Sequence, residues 1–423
     1  MKTLHRQIFN IGFITSSSII FAGSFVVNLL NYVFTLLISH LMGVEAFGEV
    51  TALFSLLLVV SVPATALTML MTREAAFRGS QGKDAVRELF ELLKRHVFLA
   101  STIFWAVFLL LTPIFSNFLQ ISYIPLGIFS LLIPVTLASA LQTGTLQGLQ
   151  EFFLLTKQSV FSTLVKLIAS ILLVSAGFSV SGVMLGLVLA QLASWGYGYL
   201  ATRTLLAPGE AAPATAEPFS LRSIRTLFST ILGTTLLLVL LSNIDVLMAK
   251  HFLDAGLAGQ YAALSTLGKI LIYGIGAFIT VLLPMVSAAH AEGRGEGSKI
   301  LVMSLAIIAA ASICVFILFT FFSGLIVTVL FGTRYLAIAP YLGIFSIAMA
   351  CISLATAFIN YFVAVENTSF IYLLFGAIVA EVALIGLNHA SLGAMTSMLV
   401  VSSMLLLILM MVNYVSMRRP TSI

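Results

Sequence analysis

Residues 300 to 322 read ILVMSLAIIAAASICVFILFTFF, 23 consecutive positions without a charged side chain. As a helix rising about 1.5 Å per residue, a run of this length crosses the roughly 30 Å hydrocarbon core of a bilayer. A transmembrane β-strand would instead show about ten residues of alternating polarity, and this run does not alternate. The stretch therefore predicts an all-α membrane protein.

The same apolar character extends along the whole chain. Of the 423 residues, 60% are hydrophobic and 8% are charged, whereas soluble domains carry about 25% charged residues. Twelve segments are apolar and long enough to cross a membrane as helices. They cover approximately residues 15–39, 47–71, 97–118, 124–149, 154–177, 180–202, 227–249, 259–288, 300–322, 340–364, 369–388 and 391–414.

The chain also repeats itself. The pentapeptide LGIFS at residues 126–130 recurs at residues 342–346, and residues 40–53 align with residues 251–264 at an offset of 211, keeping His, Gly, Ala and Leu in register. We therefore predict two pseudo-symmetric six-helix lobes. The N-lobe covers residues 1–204, a proline-rich cytoplasmic linker covers residues 205–225, and the C-lobe covers residues 226–423.

The positive charges predict how the spans are oriented. Sixteen of the 20 Lys and Arg residues fall at the termini or in loops that follow even-numbered spans, and two, Lys250 and Arg334, fall in the opposite loops. Because loops rich in Lys and Arg stay in the cytoplasm, both termini are predicted to be cytoplasmic. The sequence pI near 9.2 follows from this topology, so no nucleic-acid partner is expected.

An amphipathic segment precedes the third span. Its apolar positions recur at helical spacing beside basic side chains, at Val86, Leu89, Phe90, Leu93 and Val97. This pattern is typical of a helix that lies on the anionic cytoplasmic leaflet and contacts membrane lipids. A helix docked on other cytoplasmic parts of the protein shows the same pattern, so both arrangements remain open.

Four ionisable residues fall inside predicted spans: Lys166, Asp245, Lys269 and Glu381. Each would cost about 2.5 to 3.5 kcal/mol at a lipid-facing helix centre, so each is expected to face protein or water. Lys166 and Glu381 are 215 positions apart and occupy equivalent places in the two repeats. They could contact each other between the lobes, bind a substrate phosphate and a coupling cation separately, or form a static ion pair.

Lys269 lies deep in the eighth span and is expected to face a cavity, with a buried pair to Asp245 as the alternative. Asp245 is a candidate proton or cation site, although a helix-end carboxylate paired with Lys250 or His251 is equally consistent with the sequence. Four amides, Asn28, Asn31, Gln142 and Asn360, also fall within spans and could line a polar surface. Amides in membrane helices often simply bridge neighbouring helices.

Catalytic motifs are absent from the sequence. It contains no phosphate-binding Walker loop, no HExxH and no GxSxG. The two cysteines, Cys314 and Cys351, lie inside predicted helices without the spacing of a metal or redox site. We therefore expect neither an enzyme nor a cofactor or metal.

Three segments resemble a known family: AGQYAAL at residues 258–264, LPMVS at residues 283–287, and LFGTRY at residues 330–335 with Ala339. They are similar to segments of the polysaccharide transporter family, within the multidrug/oligosaccharidyl-lipid/polysaccharide exporter superfamily. Twelve spans in two lobes with a cytoplasmic linker match that family along the whole chain.

The resemblance implies a flippase that moves an undecaprenyl-diphosphate-linked oligosaccharide across the bacterial cytoplasmic (inner) membrane for surface polysaccharide synthesis. Such a protein would hold the diphosphate with cations, here Lys269 and Lys166, with Arg73 and Arg294 near the cytoplasmic mouth. Glu381 and Asp245 would be the ion-coupling candidates. Glycan polymerase or glycosyltransferase machinery would be a partner.

Two other functions remain open. An ion-coupled multidrug antiporter of the same superfamily would need carboxylates in its cavity, and the first six spans contain none at mid-membrane. A non-transporting subunit of a glycan-synthesis complex would leave the intramembrane charges without a purpose.

Overall fold

A computed structural model describes residues 23–207, 221–272, 274, 286, 297–365 and 367–418. Arg294, the centre of the predicted linker and most of the second half of the predicted eighth span lie outside these residues. Within them, every regular element is helical.

Fifteen α-helices are named here in chain order. They are α1 Gly23–Leu41, α2 Val44–Val60, α3 Val62–Gly79, α4 Lys83–Leu119, α5 Tyr123–Ser130, α6 Leu132–Gly148, α7 Phe152–Leu173, α8 Ser179–Leu205, α9 Leu221–Phe252, α10 Ala255–Gly268, α11 Gly297–Phe321, α12 Ser323–Leu330, α13 Ala339–Ala364, α14 Phe370–Leu387 and α15 Leu392–Arg418. A π-helical turn, Val174–Phe178, joins α7 to α8, and a 3₁₀ turn, Thr333–Ile338, leads into α13.

The helices confirm a multi-pass membrane protein. In the part of the chain that the structure describes, nine helical stretches are long and apolar enough to cross a membrane, or ten if the bent pair α2–α3 counts as one span. Helices of this kind satisfy their backbone hydrogen bonds internally, as a hydrocarbon environment requires. The count of twelve spans and the cytoplasmic position of both termini stay predictions.

The chain divides into two compact units. Unit 1 comprises residues 1–42 and 56–236, and unit 2 comprises residues 43–55 and 237–423. In unit 1, α6 packs against α3, α4 and α8, and α7 packs against α8. In unit 2, α13 packs against α10, α11 and α15, and α14 packs against α15. The first turns of α2 thus belong with the C-terminal half of the chain.

Proline and glycine mark the breaks between helices. The axes of α2 and α3 differ by 42°, and Pro63 occupies the first turn of α3, where its missing N–H costs no hydrogen bond. The π turn after α7 contains Gly177 with φ of 94°. Glycine reaches this left-handed region without steric cost, which lets the chain reverse direction into α8.

Large apolar side chains cover the outside of both units. Leu110 in α4 is 79% exposed and Phe321 at the end of α11 is 76% exposed. Exposed apolar surface on this scale is unstable in water and is stable against lipid tails. The hydrocarbon of a bilayer is therefore the expected neighbour of these faces.

The amphipathic segment is docked on protein and not on lipid. It forms the first part of α4, a continuous helix of 37 residues that also includes the predicted third span. Its apolar side chains Val86, Leu89, Phe90 and Leu93 are buried. Their cluster partners lie on α3 and α6: Ala64, Leu67, Leu70, Met71, Ala75, Ala140 and Leu141. Both arrangements bury the apolar face, so the pattern alone could not distinguish them.

This docking predicts a large difference between two leucines of α4. Leu89 is 2% exposed and Leu92 is 41% exposed. Leu89→Ala should lower the free energy of unfolding by about 2–5 kcal/mol, because it leaves a cavity in the cluster, whereas Leu92→Ala should change it much less. Thermal unfolding of the purified protein in detergent measures both variants. Equal effects would show that the segment does not depend on this docking.

Candidate functional site

A buried polar cluster lies in unit 2, where α9 meets α10. Asp245 in α9 accepts hydrogen bonds at its Oδ2 from Tyr261 Oη, at 3.3 Å, and from Ser265 Oγ, at 3.2 Å. Its Oδ1 lies 3.2 Å from Lys269 Nζ. Because residues four apart share a helical face, Tyr261, Ser265 and Lys269 reach Asp245 from one side. Both carboxylate oxygens of Asp245 are thereby satisfied.

Glu381 in α14 adds a second carboxylate to this cluster. It is 2% exposed, and its charge interacts with those of Asp245 and Lys269. Its Oε1 has no hydrogen-bond partner among the described residues. With two carboxylates and one ammonium, the cluster lacks one positive charge for neutrality when all three groups are ionised. Uncompensated charge in a buried position is costly.

This arrangement decides between the alternatives for Lys269 and Asp245. Lys269 is in a buried pair with Asp245 and is not the cavity-facing ammonium that was expected, because the desolvated ammonium is stabilised by the nearest carboxylate. Asp245 pairs with Lys269 and not with Lys250 or His251. Lys250 interacts electrostatically with Glu45 and Glu49 instead.

Lys166 in unit 1 has different surroundings. Its Nζ donates a hydrogen bond to the side-chain oxygen of Asn31 in α1. The same ammonium lies 4.5 Å from the centroid of the buried Phe34 ring, within the range of a cation–π interaction. Within the described residues, no carboxylate lies within 4.0 Å of Lys166 Nζ. No described neighbour therefore offers the Lys166 ammonium a counter-charge.

Lys166 and Glu381 belong to different units, and the partners given above lie within their own units. A contact between the two side chains stays a prediction.

Gln142 is buried between α6, α7 and α8. A Cβ atom added to Gly198 of α8 would lie 2.6 Å from Gln142 Oε1 and 2.8 Å from Gln158 Nε2. Both amides therefore pack directly against this glycine. Gln158 Nε2 also donates to the backbone oxygen of Ser194, at 3.0 Å. Gln142 is thus part of the helix packing in unit 1.

The other predicted site residues are spread over the two units. Asn28 is exposed one turn before Asn31, and Arg73 is exposed near the end of α3. Asn360 is half-buried and donates to the backbone oxygen of Thr356 in its own helix. The role of Arg294 stays a prediction, since this residue lies outside the described part of the chain.

Sequence reasoning missed Tyr261, Ser265 and Phe34 as partners of the buried charges. The first two had a detectable signal, because they precede Lys269 at intervals of four residues. Phe34 follows Asn31 by three residues and shares its face in the same way. No group of three or more His, Cys, Asp or Glu side chains among the described residues is placed to hold a metal ion.

The buried pair predicts strong energetic coupling. Lys269→Met should lower the free energy of unfolding by about 3–5 kcal/mol, because it leaves the Asp245 carboxylate buried without its counter-charge. Adding Asp245→Asn should recover part of that loss. Thermal unfolding of the two single variants and the double variant measures the coupling energy, which should be about 0.5–3 kcal/mol.

The exposed pair on α4 provides the control for this cycle. Lys94 Nζ lies 3.4 Å from Glu91 Oε2, with both side chains at least half-exposed. The cycle of Glu91→Gln and Lys94→Met should give a much smaller coupling, because water screens the charges. Similar coupling energies in the two cycles would contradict the buried pair.

Comparison with known proteins identifies the family and the fold. The family described as "Polysaccharide biosynthesis protein" matches residues 81–340, more than half of the chain. No curated protein matches the chain by sequence.

Three solved structures share the fold over nearly the whole chain. An inward-facing multidrug resistance MATE family transporter of the MOP superfamily has a TM-score of 0.73 at 15% identity, covering 94% of this chain and 96% of its own. The lipid II flippase MurJ, in an inward closed conformation, has a TM-score of 0.68 at 12% identity, covering 93% and 87%. A MOP superfamily transporter from Pyrococcus furiosus has a TM-score of 0.66 at 13% identity, covering 96% and 94%.

These matches confirm the predicted resemblance. The chain belongs to the polysaccharide biosynthesis protein family and has the fold of the multidrug/oligosaccharidyl-lipid/polysaccharide exporter superfamily.

Proposed function

We propose that this protein is a flippase that moves an undecaprenyl-diphosphate-linked oligosaccharide from the cytoplasmic to the outer leaflet by alternating access. The observation that carries the proposal is Lys166, an ammonium within a predicted membrane span whose partners are a neutral amide and an aromatic ring. A buried or half-buried cation of this kind is stabilised when an anion approaches it.

The two intramembrane lysines differ in their capacity to bind that anion. Lys269 is neutralised by Asp245 and is close to a second carboxylate, Glu381. A diphosphate approaching Lys269 would have to displace the Asp245 carboxylate from the ammonium. Lys166 has no described carboxylate within 4.0 Å. We therefore assign the main contact with the diphosphate to Lys166 and not to Lys269.

Asn31 and Phe34 would hold the ammonium in position for this contact. The Asn31 side-chain oxygen takes one of its three N–H donors, and the Phe34 ring faces the charge without offering a counter-ion. The remaining donors stay available for phosphate oxygens. The charged head group needs such a contact, because it cannot cross about 30 Å of hydrocarbon unaided.

The family and the fold support this assignment without fixing the substrate. The family description names polysaccharide biosynthesis, and one of the proteins with this fold is described as a lipid II flippase. A bacterial cytoplasmic membrane location and an association with glycan polymerase or glycosyltransferase machinery follow from the same proposal. Arg73, Asn28 and Asn360 are secondary contacts in this proposal, as is Arg294.

We further propose that the unit 2 cluster couples transport to an ion. Asp245, Lys269 and Glu381 sum to one negative charge when all are ionised, and Glu381 Oε1 has no described hydrogen-bond partner. One proton on Glu381, or one monovalent cation beside it, makes the cluster neutral. Loss of that ion restores a costly buried charge, which favours a conformation where water reaches the site.

Lys166→Met tests the substrate contact. It keeps an unbranched side chain of similar length and removes the charge. We expect surface glycan to fall about tenfold or more, because a charge-assisted hydrogen bond contributes roughly 1.5–3 kcal/mol. Lipid-linked oligosaccharide should accumulate on the cytoplasmic side, measured by extraction and mass spectrometry.

Lys157 on the same helix provides a matched control. Its Nζ lies 4.3 Å from the Phe153 ring centroid, so Lys157→Met removes a similar cation–π contact near the start of α7. It should leave glycan export close to normal. Equal losses in the two variants, with both proteins present in the membrane, would reject Lys166 as the substrate contact. A change in drug susceptibility with unaltered glycan would favour the multidrug antiporter.

Glu381→Gln tests the ion coupling. The amide is neutral, so the variant should fold at least as stably as the native protein, and its transport should no longer respond to the ion gradient. Transport into vesicles with and without an imposed proton or sodium gradient measures this. Glu88→Gln, on the exposed face of α4, is the control and should keep the native response. A native response in Glu381→Gln as well would remove this residue from the coupling.

A further inference from the structure

The surface of α4 changes from charged to apolar within about one turn. Lys94 and Arg95 are exposed, and from residue 97 to residue 119 the helix carries no charged side chain. The next large side chains on its outside are Phe98, 74% exposed, and Leu99, 62% exposed. Exposed apolar side chains of this size are stable against lipid tails. This point of α4 therefore marks the level where hydrocarbon meets the polar head groups.

Arg95 lies on the outward face of α4. The side chains that dock the helix on the protein, Leu89 and Leu93, are buried. Leu92, Arg95 and Leu99 recur at intervals of three and four residues, so they share a different face. All three are exposed. The guanidinium group is thus flanked along the helix by two exposed leucines.

The described part of the protein offers Arg95 no counter-ion. The carboxylate one turn before it belongs to Glu91, whose Oε2 lies 3.4 Å from Lys94 Nζ. No carboxylate among the described residues lies within 4.0 Å of the Arg95 guanidinium. Arginine carries five N–H donors in a rigid planar fork. These donors therefore face the surroundings of the helix at the level of the head groups.

We propose that Arg95, together with Lys94, binds the phosphate of an anionic phospholipid in the cytoplasmic leaflet. The partner must offer an anion at the level of the head groups and apolar surface just below it. A phospholipid does both, because its phosphate accepts paired hydrogen bonds from a guanidinium and its acyl chains cover Phe98 and Leu99. The excess of Lys and Arg in the loops at this end of the spans predicts that it faces the cytoplasm.

The charges favour an anionic head group over a zwitterionic one. Lys94, Arg95 and Glu91 sum to one positive charge when all three are ionised. A zwitterionic head group brings an ammonium that is repelled by this charge, whereas phosphatidylglycerol brings only its phosphate. Bound lipid would fix the depth at which α4 enters the bilayer. This contact is independent of the substrate that the protein moves.

Quenching of tryptophan fluorescence by brominated lipid measures the preference. The chain has two tryptophans, so Trp195→Phe leaves Trp105 as the single reporter. Trp105 follows Phe98 by two turns on the same side of α4, at the depth of the acyl chains. The protein is reconstituted in phosphatidylcholine mixed with phosphatidylglycerol that carries brominated acyl chains. The dependence of quenching on composition should show that phosphatidylglycerol binds about fivefold or more tightly than phosphatidylcholine.

Arg95→Gln in this background tests the guanidinium. The side chain is exposed, so the variant should fold normally. The preference for phosphatidylglycerol should fall about fivefold, as expected for one basic side chain near an anionic surface. Arg95→Lys should keep most of the preference, because it keeps the charge. The preference should also fall in about 1 M NaCl, where the screening length is about 3 Å.

Lys83→Gln is the matched control, because it removes the same charge from an exposed position of the same helix. Lys83 precedes Arg95 by 12 residues, or about 18 Å along the helix, which exceeds the screening length of about 8 Å at physiological salt. The preference should stay near the native value. An equal fall in Lys83→Gln and Arg95→Gln would overturn the lipid site. An unchanged preference in Arg95→Gln, or equal binding of the two lipids by the protein with native Arg95, would overturn it as well.

Discussion

The cost of placing ionisable groups within membrane spans governs how this structure is built. Asp245 and Lys269 come from consecutive parts of the chain and are satisfied by each other, with Tyr261 and Ser265 completing the carboxylate. Lipid tails provide neither a counter-charge nor a hydrogen-bond partner, so the helices that carry these groups must turn these faces toward each other. The buried charges therefore fix the rotation of α9, α10 and α14, which apolar contacts alone would leave loosely defined.

The two units handle their buried charges in opposite ways. Unit 1 surrounds the Lys166 ammonium with an amide oxygen and an aromatic ring. Unit 2 combines one ammonium with two carboxylates. Unit 1 thus has an ammonium in a predicted span with no described carboxylate within 4.0 Å, and unit 2 has one more carboxylate than ammonium in its cluster. The proposed anion contact in unit 1 and the proposed ion coupling in unit 2 both depend on this difference.

Apolar runs and charge counts were sufficient to predict the helical membrane fold, because hydrocarbon permits so few alternatives. They could not predict which way each helix faces. Lipid tails and protein interiors are both apolar, so Leu89 and Phe90 gave the same pattern for a leaflet-bound and a docked helix. The sequence was sufficient to place Lys269 inside a predicted span. Its pairing with Asp245 depends on how the helices are rotated about their axes, and no short sequence motif encodes that rotation.

The continuous helix α4 has a mechanical consequence. At about 1.5 Å per residue, its 37 residues extend roughly 55 Å, well beyond the roughly 30 Å of hydrocarbon. Its first part is anchored on α3 and α6 by buried side chains. Because the helix is continuous, a tilt of its membrane part would also move the anchored part and the helices that pack on it. The first part of α4 therefore links the orientation of α3 and α6 to that of the predicted third span.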